Sequence, residues 1–419
     1  MRIVTNRGYA PAWRQLLTVM PPDGHASPMS TVRSAPGSTS SLRVANQQRV
    51  LDVLRGAVAE APADGTPSTA YTQAELARTT GLAPATVSNI VRELSAAGLA
   101  ETTPGAGRRG SAVRLSAAAG TVAGIDFGHS HVAVAVGDLV GRVRRERRVR
   151  LADPADHRGA LGLAAALLEE LLEGEGPARH IAMGLPAPVT DDVIRSAAIF
   201  PGWEGIDARA AAAEVLDAPV HVENDANLGA LAEHRVGVAR GHRSSVFVKI
   251  SSGVGAGIVI DDQLFHGAGG SAGEIGHLTL DDQGPLCRCG SRGCLEAYTS
   301  IGTVLSMMAG QLPGACFDDV VAAARADNVS ARRALEDAGL HLGWGLASIV
   351  NLLNPAVVVV GGDMARAGSL ILDSARIGLR RHALDAVALT PVVASELGER
   401  ASLVGAVLLA AERTVLSVD

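Results

Sequence analysis

Four side chains in one short stretch can hold a metal ion: His277, then nine residues, Cys287-Arg-Cys289, four residues, and Cys294. Three thiolates and an imidazole complete a four-coordinate Zn²⁺ shell with no open position, so the chemistry this spacing offers is structural rather than catalytic. Three of the chain's four cysteines fall within eight residues. That clustering is unlike a disulfide framework and fits a reducing, cytoplasmic compartment. Cys316 lies apart and is expected to pack in the core as a reduced thiol.

Two carboxylates flank the cluster, Glu274 in Glu-Ile-Gly-His277 and Glu296 just after Cys294. A zinc knuckle would fix both as acceptors for a polyhydroxylated ligand, although Glu296 alone also reads as a first-turn acid complementing a helix dipole. His221-Val-Glu-Asn-Asp-Ala-Asn227 leaves a strand and enters a helix over Leu228–Arg235. One polar residue there caps the helix. Asn224 and Asp225 together at a strand's carboxyl end, where α/β proteins bind ligands, point further, to a site. Asp225 could take the proton from a sugar hydroxyl attacking phosphate.

Three Gly-rich turns are candidates for a nucleotide: Asp126-Phe-Gly128-His-Ser130, Ser251-Ser-Gly253-Val-Gly255-Ala-Gly257, and Val360-Gly361-Gly362. None is a Walker A loop, since the chain's single lysine, Lys249, sits inside a strand. Backbone amides of such turns can still bind phosphate.

From Thr121 onward, strand-like apolar runs alternate with Ala-rich helices. The runs Val122–Phe127, Val132–Val136, Ile181–Leu185, Val220–Glu223, Ser245–Ile250, Gly257–Ile260 and Ala356–Val360 are mostly uninterrupted, so the body is α/β with buried sheets. Six arginines in Arg142–Arg150 read as the solvated face of a strand rather than a nucleic-acid patch. Gly345–Val360 contains Asn351, Asn354 and Pro355 and reads as a helix end entering a strand, not a membrane span.

Ahead of the body the pattern differs. Residues 1 to about 40 are Pro-, Ser- and Gly-rich and read as disordered, with Met29 a candidate natural start. A helix begins at Leu42, with Val44, Gln47, Val50, Leu51, Leu54 and Val58 at helical spacing. Thr72 caps a short helix that Gly81 ends, and Pro84 opens another with Val87, Ile90, Val91 and Leu94 on one face. Helix, Gly-containing turn, helix is the helix-turn-helix signature. Thr86, Ser88, Asn89 and Arg92 face away from that core, small and polar enough to approach base edges in a major groove. Two strands, Leu99–Thr103 and Ala112–Leu115, would flank a cationic tip with Arg108 and Arg109, a wing suited to phosphate or minor-groove contact.

Length and composition agree with this division. The chain's 419 residues allow two to four domains, and 47% apolar with 19% charged residues is a globular balance. Aromatics at 3% argue against stacking on single strands. The net charge of −6 hides a partition: through Ala118 the chain has 12 arginines against 7 acids, a net +5, and the remainder carries −11.

Taken together, Asp126-Phe-Gly128, Glu223-Asn-Asp-Ala-Asn227, Gly253-Val-Gly-Ala-Gly257, Glu274-x-Gly-His277 with Cys-x-Cys-x4-Cys, and Val359-Val-Gly-Gly362 resemble the ROK family of repressors, open reading frames and sugar kinases, over about residues 42–415. The resemblance implies a two-lobed, actin-like (hexokinase-like) body at 118–419, with lobes of about 118–240 plus the C-terminal helix and 241–395. It implies a winged helix-turn-helix at 41–117, the mark of the regulator branch. Asn224, Asp225, Glu274, His277 and Glu296 match sugar-contacting positions, and Asp225 matches the catalytic base of kinase members. Asp126, Gly128, Ser130, Gly253, Gly255, Gly361 and Gly362 fall on the nucleotide side. There the sequence departs: His129 and Ser130 stand where kinases have Gly and Thr, and an imidazole in that turn would crowd ATP. Ser252 and Ala187 are milder departures.

The expectation is therefore a transcriptional repressor of carbohydrate metabolism. Its partners are operator DNA and a sugar or sugar-phosphate effector, it forms a homodimer or homotetramer, it holds structural Zn²⁺, and it has no membrane role. The alternative is an ATP-dependent sugar kinase, using ATP and Mg²⁺, with an appended DNA-binding domain. A third reading replaces the sugar signal with a partner protein.

Overall fold

Local signals place the first elements of the computed structural model, which describes residues 39–56, 70–103, 111–116, 118–153, 155–194 and 200–415. Helix α1 (Thr39–Gly56) buries Gln47, Val50, Leu51 and Leu54. Val44, expected on that inward face, is exposed, because periodicity fixes which side of a helix is apolar but not how far its cover extends. Val58 lies outside the described residues, as do Met29 and all of the expected disordered stretch except Thr39 and Ser40, which already belong to α1.

After strand β1 (Tyr71–Thr72), helix α2 (Gln73–Thr80) opens with a reciprocal cap. Thr72 Oγ1 accepts from the Glu75 amide at 3.2 Å, while the Glu75 carboxylate accepts from the Thr72 amide at 2.8 Å. Gly81, at φ +69°, ends it in the left-handed conformation that favours glycine. Helix α3 (Pro84–Ala96) then buries Val87, Ile90, Val91 and Leu94. Strands β2 (Ala100–Thr103) and β3 (Ala112–Leu115) pair antiparallel, and β1 joins the other edge of β3. This is a winged helix-turn-helix.

The body repeats one topology twice. The first sheet begins with an antiparallel meander, β4 (Thr121–Phe127), β5 (His131–Asp138) and β6 (Val143–Arg150). Past helix α4 (His157–Leu172), β7 (Ala178–Leu185) returns parallel to β4. The short hairpin β8 (Val189–Thr190) and β9 (Val193–Ile194) and helix α5 (Ala208–Ala213) lead to β10 (Val220–Asn224), parallel to β7. Helix α6 (Asp225–Arg235) crosses to the second sheet. Its meander is β11 (Ser245–Ile250), β12 (Val254–Ile260) and β13 (Gln263–Leu264). Helices α7 (Leu295–Thr299), α8 (Ile301–Met308), α9 (Phe317–Arg325) and α10 (Val329–Leu353) precede β14 (Val357–Gly361), which runs parallel to β11. Helix α11 (Ser369–His382) precedes β15 (Val392–Ala394), and helix α12 (Ala401–Arg413) returns to the first sheet.

The sheet orders β6-β5-β4-β7-β10 and β13-β12-β11-β14-β15 are the same order of hairpins and crossovers. The turns Asp126–Ser130 and Ser251–Gly255 therefore occupy equivalent places, after the first strand of each lobe. β6 lies at a sheet edge with seven of its eight residues exposed. Its arginines are bound locally: Arg144 to Glu175 at 2.7 Å, Arg145 to the Leu171 carbonyl at 2.9 Å, and Arg148 to Glu399 at 2.9 Å. Charged edges of this kind also resist pairing with another sheet. Cys316 is not in the core, contrary to expectation. It is exposed, and its amide donates to Asp319 at 2.8 Å at the start of α9, because helix entry rather than apolar burial uses the position. Among the described residues no helix is long and apolar enough to cross a membrane.

α12 lies unusually close to α6 and β4. A β-carbon on Gly405 would fall 1.9 Å from the Leu228 carbonyl oxygen, and one on Gly124 2.8 Å from the Val407 amide. Gly405→Ala is therefore expected to destabilise the body by about 1–3 kcal/mol through overpacking. A denaturant midpoint unchanged from the parent would contradict this close approach.

Candidate functional site

The knuckle is built by turns that bring distant thiols together. His277 ends a 3₁₀ turn (Ile275–His277), Cys294 caps α7, and Gly290 and Gly293 take positive φ between the cysteines. A β-carbon on Gly293 would fall 1.6 Å from the Asp281 carbonyl oxygen, so only glycine fits. Cys289 and Cys294 Sγ lie 3.7 Å apart, Cys287 Sγ lies 3.8 Å from His277 Nδ1, and all four ligand atoms fall within 4.8 Å of one another. A tetrahedral site with Zn–S bonds of about 2.3 Å has sulfur–sulfur edges of about 3.8 Å. The four residues fit Zn²⁺, which would supply rigidity and no open coordination position. Burial pushes the Cys287 thiol up to about 12, and a bound cation would favour its thiolate.

A cleft of about 60 Å³ adjoins the knuckle, lined among others by His129, Asn224, Asp225, Lys249, Gly253, Gly255, Glu274, His277, Arg288 and Glu296. All five residues expected on the sugar side are thus brought together. On the nucleotide side Gly253 and Gly255 reach the cleft, whereas Asp126, Gly128, Ser130, Gly361 and Gly362 are not in its lining. Ser130 is exposed, because its turn folds back with the Gly128 amide donating to the His131 carbonyl at 2.9 Å. His129 packs edge-on against Phe200 with ring centres 5.7 Å apart.

The acceptors read from the sequence are largely engaged. Asn224 Oδ1 accepts from the amides of Ala226 and Asn227 at 2.9 and 3.2 Å, and its Nδ2 donates to the Ala187 carbonyl at 3.1 Å. Asp225 Oδ2 accepts from Lys249 Nζ at 2.8 Å. Lys249 also donates to Ser402 Oγ at 2.9 Å and stands 3.9 Å from Asp126. Burial, reinforced by Asp126, raises the Asp225 carboxyl above its ordinary value despite the lysine. Burial would lower the Lys249 ammonium, but Asp126 and Asp225 hold it above the usual lysine value.

Glu296 makes a bidentate pair with Arg288, Nε to Oε1 at 2.7 Å and Nη2 to Oε2 at 2.8 Å. Glu274 has no side-chain hydrogen bond among the described residues. Burial, with Asp225 and Glu296 nearby, raises it to about 7. The strand end itself is held by Glu223, which accepts from the Asn224 amide and Asn227 Nδ2 at 2.9 Å and pairs with His266 Nε2 at 2.8 Å.

Sequence reasoning missed Lys249 and Arg288. The signals were present: a lone lysine within the apolar run of β11, and an arginine between two metal-type cysteines.

On the winged helix, Ser88, Asn89 and Arg92 of α3 are exposed, and Arg92 donates to Asn89 Oδ1. Thr86 is half-buried rather than facing out, since it stands one residue before the inward Val87 near the first turn. Arg108 and Arg109 lie outside the described residues.

Comparison with known proteins adds the following. The model of the ROK family matches residues 122–413, and that of the MarR family matches residues 57–109. A xylose repressor of Bacillus subtilis is 28% identical over 316 residues, 73% of this chain and 81% of the repressor. The structure of a ROK family glucokinase from Streptomyces griseus, solved with glucose and AMPPNP, superposes with a TM-score of 0.64 at 28% identity, over 70% of this chain and all of the glucokinase. A ROK family transcriptional regulator, homologous to the E. coli MLC protein, superposes with a TM-score of 0.71 at 24% identity over 88% of this chain and 97% of its own, a likeness of fold.

Two outcomes follow from the geometry. The purified protein is expected to hold one zinc per chain, and Cys289→Ser to lose most of it; full occupancy by metal analysis of that variant would remove the knuckle assignment. His266 is raised by Glu223 and Glu223 is lowered, although burial opposes it, by His266 and Asn227. The histidine's share of stability is present below its unfolded value of about 6.5 and is lost as pH rises through its raised folded value. The carboxylate's share is present above about 4.3 and is lost as pH falls through its lowered value. NMR titration should place the His266 midpoint above that seen in Glu223→Gln, and equal midpoints would dissolve the pair.

Proposed function

From a chain that belongs to the ROK family and carries a MarR-type winged helix on its N-terminal side, we propose that this protein is a sugar-responsive, DNA-binding repressor of carbohydrate metabolism. The head spans about residues 41–117 and the two-lobed body 118–419. α3 would enter the major groove with Ser88, Asn89 and Arg92, aided by Thr86, while Arg108 and Arg109 at the wing contact the backbone. A monosaccharide would bind in the cleft against Asn224, Asp225, Glu274, His277 and Glu296, with Zn²⁺ on His277, Cys287, Cys289 and Cys294 keeping the knuckle rigid. A relative named for xylose repression puts pentoses among the first sugars to try.

One observation carries the choice of repressor over kinase. The carboxylate that would serve as base, Asp225, is paired with the Lys249 ammonium at 2.8 Å. Oδ2 of that carboxylate is thereby occupied by another donor, and the imidazole of His129 stands in the turn where phosphates would approach. The family holds both repressors and sugar kinases, so the binding half of the kinase design is retained here without its chemistry. Regulation requires that the sugar favour one spacing of the two heads in a homodimer or homotetramer, since a ligand shifts only equilibria it binds unequally.

Gel-shift titration against the DNA upstream of the protein's own gene, with and without a sugar panel, is the test. A specific complex altered by at least one sugar is expected, with Asn89→Ala or Arg92→Ala weakening it by about 1–3 kcal/mol while the fold persists. No specific complex under any condition would refute DNA regulation. In a coupled ADP-release assay with hexoses and pentoses, no turnover above that of Asp225→Asn is expected; turnover abolished by this substitution would establish the kinase with ATP and Mg²⁺.

A further inference from the structure

The knuckle side of the cleft presents a cation where the sequence places an acceptor. Arg288 leaves the backbone between two zinc ligands, and its guanidinium lies against the Gly253 turn, where a β-carbon would fall 2.3 Å from Nη2. Both Glu296 oxygens are occupied: Oε1 accepts from Arg288 Nε, and Oε2 from Arg288 Nη2 and from the Val254 amide at 3.0 Å. The Glu296 side chain is 7% exposed and the Arg288 side chain 29%. A guanidinium carries five N–H donors, and the side-on pair uses two, which leaves three on Nη1 and Nη2. Across the cleft Asp225 is paired with Lys249, and Glu274 alone remains a carboxyl without a side-chain partner among the described residues.

We propose that Arg288 is the specificity-determining residue of this cleft and that the effector is a monosaccharide bearing an anionic group, a phosphate ester or a carboxylate. The proposal rests on the reading of the cleft as a sugar site. A neutral sugar that brings hydroxyls to Glu296 finds three of its about four acceptor sites already taken by Arg288 and the Val254 amide, so it competes with the bidentate pair for a nearly buried carboxylate. An anionic group instead accepts from the unused donors, which match the planar fork that carboxylate and phosphate oxygens present. Glu274 and Glu296 oppose an anion, but Glu296 is already neutralised by the same arginine.

The test is calorimetry on the zinc-loaded full chain without DNA, titrated with glucose, xylose, glucose 6-phosphate, glucuronate and inorganic phosphate. Expected is at least tenfold tighter binding of glucose 6-phosphate or glucuronate than of either neutral sugar, and the tighter of the two identifies the anionic group. Arg288→Gln should remove that preference with zinc content unchanged, and Arg288→Lys should keep part of it. Neutral sugars binding as tightly as the anionic ones, or a preference that survives Arg288→Gln, would overturn the proposal and leave the sugar cleft standing. Inorganic phosphate binding as well as the sugar phosphate would overturn it as an anion site without sugar recognition. No binding by any sugar would overturn both the proposal and the sugar-site reading.

Discussion

The body depends on one ammonium, largely buried between the lobes. Lys249 rises from β11 in the second sheet and meets Asp225 at the start of α6, Ser402 in α12 and, at 3.9 Å, Asp126 at the end of β4. A buried charge is tolerated only where partners compensate its lost hydration, and removing one partner leaves the rest costly. Both lobes therefore converge on this point. Ser402 Oγ in turn donates to the Asp225 carbonyl at 2.8 Å, so the same residue that receives the lysine anchors the base of α6. Any change in the angle between lobes has to keep this cluster or break it as a unit.

The knuckle is the complementary constraint. It is a loop region without long elements of its own, and its order comes from short backbone bonds such as Cys287 to Ser291 and Leu295 to Leu278, together with four metal-type side chains. Through Arg288 and Glu296 it reaches the Val254 amide and the Gly253 turn, which in the duplicated topology is the counterpart of the first phosphate turn. Two supports, an ion cluster and a knuckle whose four residues fit a metal, thus line one cleft.

The head is joined to this machinery through α12. Arg55 near the end of α1 donates to the Thr414 carbonyl at 2.7 Å, and the buried residues of the winged helix, β4, β5, α6 and α12 form one continuous apolar cluster. α12 carries Ser402 at its other end. One helix therefore touches both the ion cluster at the cleft and the helix that leads into the DNA-binding domain. That is a physical route by which cleft occupancy and head position can share a free energy.

Much of this was legible from short-range pattern. The cap Thr72, Gly81, Pro84, the apolar strand runs and the cysteine spacing are decided by neighbours a few residues away, and each stands where its spacing placed it. The charge partition likewise separated a basic head from an acidic body. What the sequence left open was partnership. Lys249 meets residues 24 and 153 positions away, and Val254 meets Glu296 42 positions away, pairings set by crossovers between sheets. Finer local detail also escaped pattern: helix entry left Cys316 exposed, a folded-back turn left Ser130 outside the cleft lining, and Thr86 beside the inward Val87 is half-buried. Residue types thus determined which chemistry the chain could do, while the fold, by choosing the partner of each buried charge, decided which of those groups a ligand can still use.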